Sequence, residues 1–272
     1  VKLGRLIVTF VFALGYGFLL APFLVILVAS FAGGQSHYVV FPPTSFSVEW
    51  YLRLPAEYFR PALVSVGVAL GAGLISTVLG ILAAFALVRG RLPGRNLLKA
   101  YFNAPLQIPF VVTGIVFLQF YYLLYALTGA RLLGTVWGLL GVHVFITLPY
   151  MVGAVAAVLE RFEPSLEEAA LTLGATRWST LRRVTLPLIR PGVVAGALYA
   201  FVVSFGDVPA SMFVVSSATT TLPVQLFYAL EFDYTPALLA LSSVVVALSM
   251  GAIFAVQWLL GVDFVQRGRA GS

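Results

Sequence analysis

Cysteine is absent from this 272-residue chain, so disulfides, iron–sulfur clusters and thiolate metal sites are all excluded. Lysine occurs only as Lys2 and Lys99, which follow Val1 and Leu98. A nucleotide-phosphate loop of the form G-x-x-x-x-G-K-[ST] requires lysine directly after glycine, and neither lysine provides one. Histidine is confined to His37 and His143, too distant in sequence to form a local ligand pair. A nucleophile elbow, a zinc-binding helix motif and a dinucleotide glycine loop are also missing. The sequence therefore presents no catalytic residue, no metal ligand set and no cofactor-binding residue, and it does not read as an enzyme. Charge is the last scarcity: Asp, Glu, Lys and Arg make up 10% of the residues against 61% hydrophobic ones, with mean hydropathy +1.02. Such a composition belongs in a lipid bilayer.

What is present is apolar sequence in long runs. Crossing a hydrocarbon core about 30 Å thick takes roughly 20 apolar residues at about 1.5 Å each. Six stretches qualify: Leu6 to Phe31, Pro61 to Val88, Leu98 to Leu127, Leu132 to Leu159, Pro191 to Val215, and Ala237 to Val262. The first, behind Lys2 and Arg5, is longer than the core of a cleavable signal peptide and reads as an uncleaved signal anchor. The net charge of +6 fits nucleic acid, anionic lipid or loop asymmetry, and the positions decide for the membrane. Lys2 and Arg5, then Arg89, Arg91, Arg95 and Lys99, then Arg161, Arg177, Arg182, Arg183 and Arg190, and finally Arg267 and Arg269 fall on one side; the other keeps Arg53, Arg60 and Arg131. Basic residues stay preferentially cytoplasmic in short loops, so the prediction is an all-α polytopic membrane protein, a single domain over residues 1–272, with both termini cytoplasmic. Gly67 with Gly71, Gly134 with Gly138 and Gly192 with Gly196 have the spacing of close helix packing in membranes. Trp50, Tyr51, Tyr58 and Phe59 suit an interfacial aromatic belt.

One polar interruption stands out, "EEAALTLGATRWSTLRRVTLPLIRPG", Glu167 to Gly192, within a cytoplasmic loop over 160–190. Ser165 with Glu168 has capping-box spacing, and acids in a first turn suit the positive end of the helix dipole. Leu166, Ala169, Ala170 and Leu173 repeat as one apolar stripe. Gly174 is a helix stop that tolerates positive φ. A second helix is expected from Thr176 to about Thr185, with Trp178, Leu181 and Val184 on one side and Leu186–Pro187 ending it. A small apolar knuckle outside the lipid needs a protein partner.

Glu168, Ala169 and Ala170, three residues, Gly174, nine residues, Val184, one residue, then Leu186 and Pro187 resemble the "EAA" loop of permease subunits in binding-protein-dependent ABC importers. The loop lies before the penultimate span, as that family requires, and six spans match its architecture. The resemblance implies a type I importer permease fold in a bacterial inner membrane, with Glu167, Glu168, Ala169, Ala170, Leu173, Gly174, Ala175, Leu186 and Pro187 coupling to a separate ATPase. It also implies partners: a dimer of ABC ATPase subunits that bind the ATP, a second permease subunit of the same or another chain, an extracytoplasmic solute-binding protein and the bilayer, with no nucleic acid.

The stretch from Ser204 to Ser243 bears on cargo. Asp207 falls about 24 Å into the predicted fifth span, where an acid costs roughly 2.5–3.5 kcal/mol at a helix centre. It should face a cavity or a partner, with Gly206 and Pro209 loosening the helix beside it. Asp207, Ser204 and Gln119 are the candidate path residues; the alternatives are a kink-supporting or interface role for Asp207 and interhelical hydrogen bonding for Gln119 and His143. The stretch resembles permeases of the polyamine, opine and phosphonate branch, where an "SFDD" segment precedes a similar "LP" turn, although Gly206 stands in place of the first acid. Glu49, Glu57, Glu231 and Asp233 outnumber Arg53, Arg60 and Arg131 in the outer loops, which suits a polyamine-like cation. Phosphonate, opine, ferric ion or another small solute are the alternatives within the family. An ion-coupled secondary transporter would call for paired intramembrane charges or broken spans in inverted halves, and an intramembrane enzyme would have only His143 with Asp207.

Overall fold

The computed structural model describes residues 2–33, 41–90, 92–232 and 235–259. His37, Arg91, Asp233, Arg267, Arg269 and the end of the predicted sixth span lie outside them. With no water in the hydrocarbon to hydrogen-bond a bare backbone, each span must satisfy its own N–H and C=O groups, and the apolar runs are helical. In chain order the helices are α1 (Lys2–Ala29), α2 (Glu49–Leu52), α3 (Phe59–Arg89), α4 (Arg95–Asn103), α5 (Phe110–Thr128), α6 (Val136–Arg161), α7 (Ser165–Thr172), α8 (Arg177–Thr180), α9 (Leu186–Phe205), α10 (Leu222–Phe232) and α11 (Pro236–Leu259). Among the described residues the β-type pairing is an isolated bridge, Ala32 with Phe46. Five helical runs are long and apolar enough to cross a membrane, namely α1, α3, α5, α6 and the stretch Arg177–Phe205, with α11 a shorter apolar sixth. The residues group into two compact units, one drawn from Val1–Phe59 and Gln225–Gly251, the other from Arg60–Val224 and Ala252–Ser272.

In the first unit, α1 is apolar on every face and none of its best 18-residue window is buried, as a lipid-facing span requires. Its end is held by the segment that follows. The Tyr51 hydroxyl sits 2.5 Å from Ser30 Oγ and 2.7 Å from Ser243 Oγ of α11, and the Trp50 indole N–H donates to the Ala32 carbonyl at 3.0 Å. Tyr51 is thus a hydrogen-bond hub and Tyr58 is buried, whereas Phe59 is exposed.

In the second unit α6 is central, with half of its best window buried, and it packs along α9. Gly192 and Gly196 make this approach possible: an added Cβ would lie 2.8 Å from the Ala154 carbonyl oxygen and 2.7 Å from Met151 Sδ respectively. The other two glycine pairs do not act as pairs. Gly71 meets Leu140 while Gly67 faces open space, and Gly134 is a loop residue at φ +74. Met151, Val155 and Leu159 of α6 meet Ala84 of α3 and Ile189 of α9 in one core cluster, and Val68, Tyr121, Leu139, Val142, Ala210 and Val214 form a second toward the other end.

Two predicted boundaries shift, and one helix is new. The third span does not begin at Leu98: α4 is a separate amphipathic helix whose Lys99 pairs with Glu160 of α6 at 2.6 Å while Leu97 and Tyr101 point outward. Pro105 and Pro109 separate it from α5, because Ile108 ahead of Pro109 is extended (ψ 125), as a residue before proline prefers. The fifth span does not run to Val215 but ends at Phe205, and residues 206–221 leave the helix except for a short turn at Ser211–Phe213. Gly206 and Pro209 remove, respectively, a side chain and an N–H that a continuing helix uses. Helix α10, beyond that break, is not anticipated by the sequence reading, since an 11-residue apolar helix falls below the length that identifies a span.

Gly196→Leu is expected to destabilise the fold by about 1–3 kcal/mol through overpacking against Met151 and Ala154, seen as a lower melting temperature in detergent. Gly67→Leu, with nothing within 4 Å of its Cβ position, is expected to leave that temperature unchanged.

Candidate functional site

The knuckle between α6 and α9 is built from local backbone chemistry. Pro164 occupies the position before α7 in helical conformation (φ −57, ψ −24), where its missing N–H costs nothing. This displaces the expected capping box: Ser165 is already inside the helix and its hydroxyl donates to Glu163 Oε2 at 3.2 Å, and no side chain caps the helix. The other end closes as expected. Gly174 adopts φ +87, and two bonds, Ala175 N–H to the Ala170 carbonyl and Gly174 N–H to the Leu171 carbonyl, each 3.0 Å, form a Schellman stop. Thr176 then caps α8 by accepting the Ser179 N–H at 3.2 Å.

Leu186–Pro187 does not terminate the second helix. The chain stays helical through Leu181–Thr185 as a single wide π turn, with the Leu186 N–H reaching back to the Leu181 carbonyl, and runs on as α9. A proline inside a helix crowds the carbonyl one turn back, and a wide turn just ahead of Pro187 relieves that crowding. The knuckle is consequently rooted directly in a span.

Its outer surface is uncovered. Leu173 is 88% exposed and Leu166 50%, on or at the end of a helix far too short to cross lipid, and Trp178 in α8 is 68% exposed. Glu168, Ala169 and Gly174 are also exposed, and the Glu168 carboxylate has no partner among the described residues. Ala170 and Ala175 are half-buried, Leu186 packs inward against the α6–α9 core, and Pro187 is exposed. Glu167 turns the other way. Its Oε1 accepts the Thr185 hydroxyl at 2.8 Å, and its Oε2 lies 3.4 Å from Nε of Arg89, at the end of α3. Arg89 also donates to the Phe162 carbonyl at 2.9 Å and stacks its guanidinium 5.6 Å over the Phe162 ring. Arg89, Phe162 and Thr185 are the functional neighbours that sequence reasoning misses; Arg89 was visible only as one more basic residue at a span end.

The predicted path residues end up apart. Gln119 is exposed on α5. Ser204 and Asp207 are each 3% exposed and belong to a buried polar chain. Asp207 Oδ2 accepts both the backbone N–H and the hydroxyl of Ser211, at 2.8 and 2.7 Å, and Oδ1 faces the Ala210 N–H at 3.4 Å. Because the Ser211 hydroxyl donates to Asp207, it accepts from His143 Nε2 at 3.0 Å, which leaves Nδ1 to accept from the Ser204 hydroxyl at 2.7 Å. Asp207 therefore caps the turn after the break in α9, and His143 joins that turn to α6. Of the two settings expected for Asp207, a cavity or a partner, the described residues supply a partner, Ser211. The His143–Asp207 pair is not catalytic geometry: the carboxylate holds the serine, not the imidazole, and both side chains are buried.

These features define an all-α, multi-pass membrane subunit with an uncovered apolar knuckle rooted in a span and, among the described residues, no group of three or more His, Asp or Glu that could hold a metal ion. The chain belongs to the family of binding-protein-dependent transport system inner membrane components, which matches residues 76–261. It is a permease subunit of an ABC importer, seated in the inner membrane, and not an enzyme. It is similar to the putrescine transport system permease protein PotI of Escherichia coli (strain K12), 31% identical over 95% of this chain and 94% of that one. It is likewise similar to the spermidine/putrescine transport system permease protein PotC of Haemophilus influenzae, 31% identical over 88% and 90% of the two chains. The sulfate transport system permease protein CysT of Escherichia coli (strain K12) is 33% identical over 79% and 81%. In fold it resembles the crystal structure of a bacterial ABC transporter involved in the import of the acidic polysaccharide alginate, with TM-score 0.68 at 17% identity over 98% of this chain and 96% of that one.

Ser211→Ala is expected to lower stability by about 1–3 kcal/mol, since it strips a partner from both a buried carboxylate and a buried imidazole. Thermal unfolding in detergent checks this; an unchanged melting temperature would contradict the capping role assigned to Asp207.

Proposed function

We propose that this permease forms half of a translocation unit with a second permease subunit, and that its α7 knuckle is the docking element for one of two ABC ATPase subunits on the cytoplasmic side. Both termini then lie in the cytoplasm, ATP is bound by the ATPase and not by this chain, and solute arrives from an extracytoplasmic binding protein. The observation that carries the reading is the uncovered stripe of Leu166, Leu173 and Trp178 beside the unpartnered Glu168. Burying one large apolar side chain is worth about 1.5–3 kcal/mol, so a protein cleft that closes over this stripe gains a firm hold on it. The distribution of charge agrees: Arg89, Arg95, Lys99, Arg161, Arg177, Arg182, Arg183 and Arg190 gather at the knuckle end of the second unit, against Arg60 and Arg131 at the other, the bias that cytoplasmic loops carry. ATP-driven closure of the two ATPase subunits then shifts the permease between inward-open and outward-open states, because contact with the knuckle differs between those states.

For cargo, the reading is a polyamine-like cation. It is supported by the similarity to PotI and PotC and by the slight excess, in the sequence of the outer connections, of Glu49, Glu57, Glu231 and Asp233 over Arg53, Arg60 and Arg131. An anion such as sulfate is the second reading, favoured by the similarity to CysT. Asp207 does not select a cation in either case, since its carboxylate is spent on Ser211; selection is left to the binding protein and to the exposed faces of the spans.

Gly174→Asp places a side chain at φ +87, which costs about 1–2 kcal/mol, and a charge on the docking face. The expected result is a chain that still inserts in the membrane but no longer copurifies with its ATPase or transports; normal copurification would sink the docking assignment. Mass analysis of the ligand extracted from the cognate binding protein is expected to return a di- or polyamine. Sulfate there would overturn the cargo reading while leaving the permease assignment intact.

A further inference from the structure

The two adjacent acids of α7 face opposite ways, and that division has a mechanical consequence. A knuckle that receives force from an ATPase must pass it to the spans. Helix α7 is joined to the rest of the chain by a short connection through Pro164 at one end and by Gly174 at the other, and the backbone bonds at these joints tie it to its own flanking residues, not to the spans. Glu167 supplies a side-chain tie to the spans. Its two carboxylate oxygens reach two different elements, Thr185 in the π turn at the root of α9 and Arg89 at the end of α3. Arg89 in turn grips the end of α6 through the Phe162 carbonyl and ring. Side-chain exposures of 23% for Arg89 and 21% for Glu167 keep this pair largely out of solvent screening, unlike the more exposed Lys99–Glu160 bridge beside it. A lysine could not replace Arg89, because only the planar guanidinium pairs with a carboxylate, donates to a carbonyl and stacks on a ring at once.

We infer that Arg89, Glu167 and Thr185 form a strut that makes α7 one rigid body with the ends of α3 and α6 and the root of α9, so that Arg89 is a positioning residue for coupling although it faces away from the docking surface. The inference rests on the docking role proposed for α7. It assigns Glu168 to the outer face and Glu167 to the interior, and it predicts loss of coupling without loss of docking when the strut is cut.

The test uses the complete importer, with both permeases and the ATPase subunits in lipid nanodiscs, and reads the stimulation of ATP hydrolysis by the binding protein as isolated from its own host with its natural load. Arg89→Gln and Glu167→Gln are each expected to reduce that stimulation about tenfold, a typical coupling magnitude, while the ATPase still copurifies. Unreduced stimulation in both variants, or ATPase lost from either, would overturn the strut. Because the chain has no cysteine of its own, the double variant Arg89→Cys with Glu167→Cys can be bridged by a short bismaleimide. The bridge is expected to restore stimulation to within about twofold of the unsubstituted importer, since a covalent link replaces a contact that stays closed throughout the cycle. Stimulation that stays low after bridging would mean that α7 moves relative to α3, and the strut would be refuted. Failure of the unsubstituted chain to copurify with any ATPase is a separate outcome, which removes the docking role and the strut with it.

Discussion

The close approach of α6 and α9 is the constraint on which the rest of the second unit depends. Lipid offers no hydrophobic drive between helices, so two spans stay together only when their backbones come near enough for dense packing and shared hydrogen bonds. Gly192 and Gly196 permit that nearness against Ala154, Val158 and Met151. Both functional features hang from the same pair. At one end α9 is rooted in the knuckle while α6 ends at Phe162, the residue that Arg89 grips. At the other end His143 of α6 holds the break that follows α9. Separating the two helices would loosen the knuckle and the break together.

A donor or acceptor inside a span, without water, calls for a protein partner, and the polar groups beside the break after α9 find theirs, although the buried Thr113 hydroxyl of α5 does not. Asp207, Ser211, His143 and Ser204 satisfy one another in a directional chain, and Thr147 adds a second crossing by donating to the His143 carbonyl while lying 2.8 Å from Ser76 of α3. An acid inside a membrane invites a transport role, yet here the carboxylate does the work of a helix cap, satisfying the backbone that the break exposes.

The knuckle illustrates how small irregularities are used. Positive φ at Gly174 and the π turn before Pro187 each depart from regular helix, and each aims a surface. The glycine stops α7 so that Leu173 projects, and the wide turn lets the chain continue into a span in spite of a proline, placing Thr185 where Glu167 meets it. The inward-facing acid, Glu167, ties this element to Thr185 and lies beside Arg89, while Leu173 projects outward.

The sequence alone determined the class, because apolar run length and the asymmetry of basic residues are one-dimensional consequences of the bilayer. It also determined the stop at Gly174 and the apolar stripe before it, since helix period and glycine chemistry are local. Boundaries at Pro105, Pro109 and Phe205, and the short helix α10, escaped it, because an apolar run does not say where a helix must break. Only the tertiary structure decided which acid does what: Glu167 and Glu168 are neighbours in the chain with the same chemistry, and Asp207 reads as a lone intramembrane charge until Ser211 and His143 are brought to it. Partners that close a hydrogen bond across 61 or 68 residues of chain are selected by packing, which no local pattern encodes.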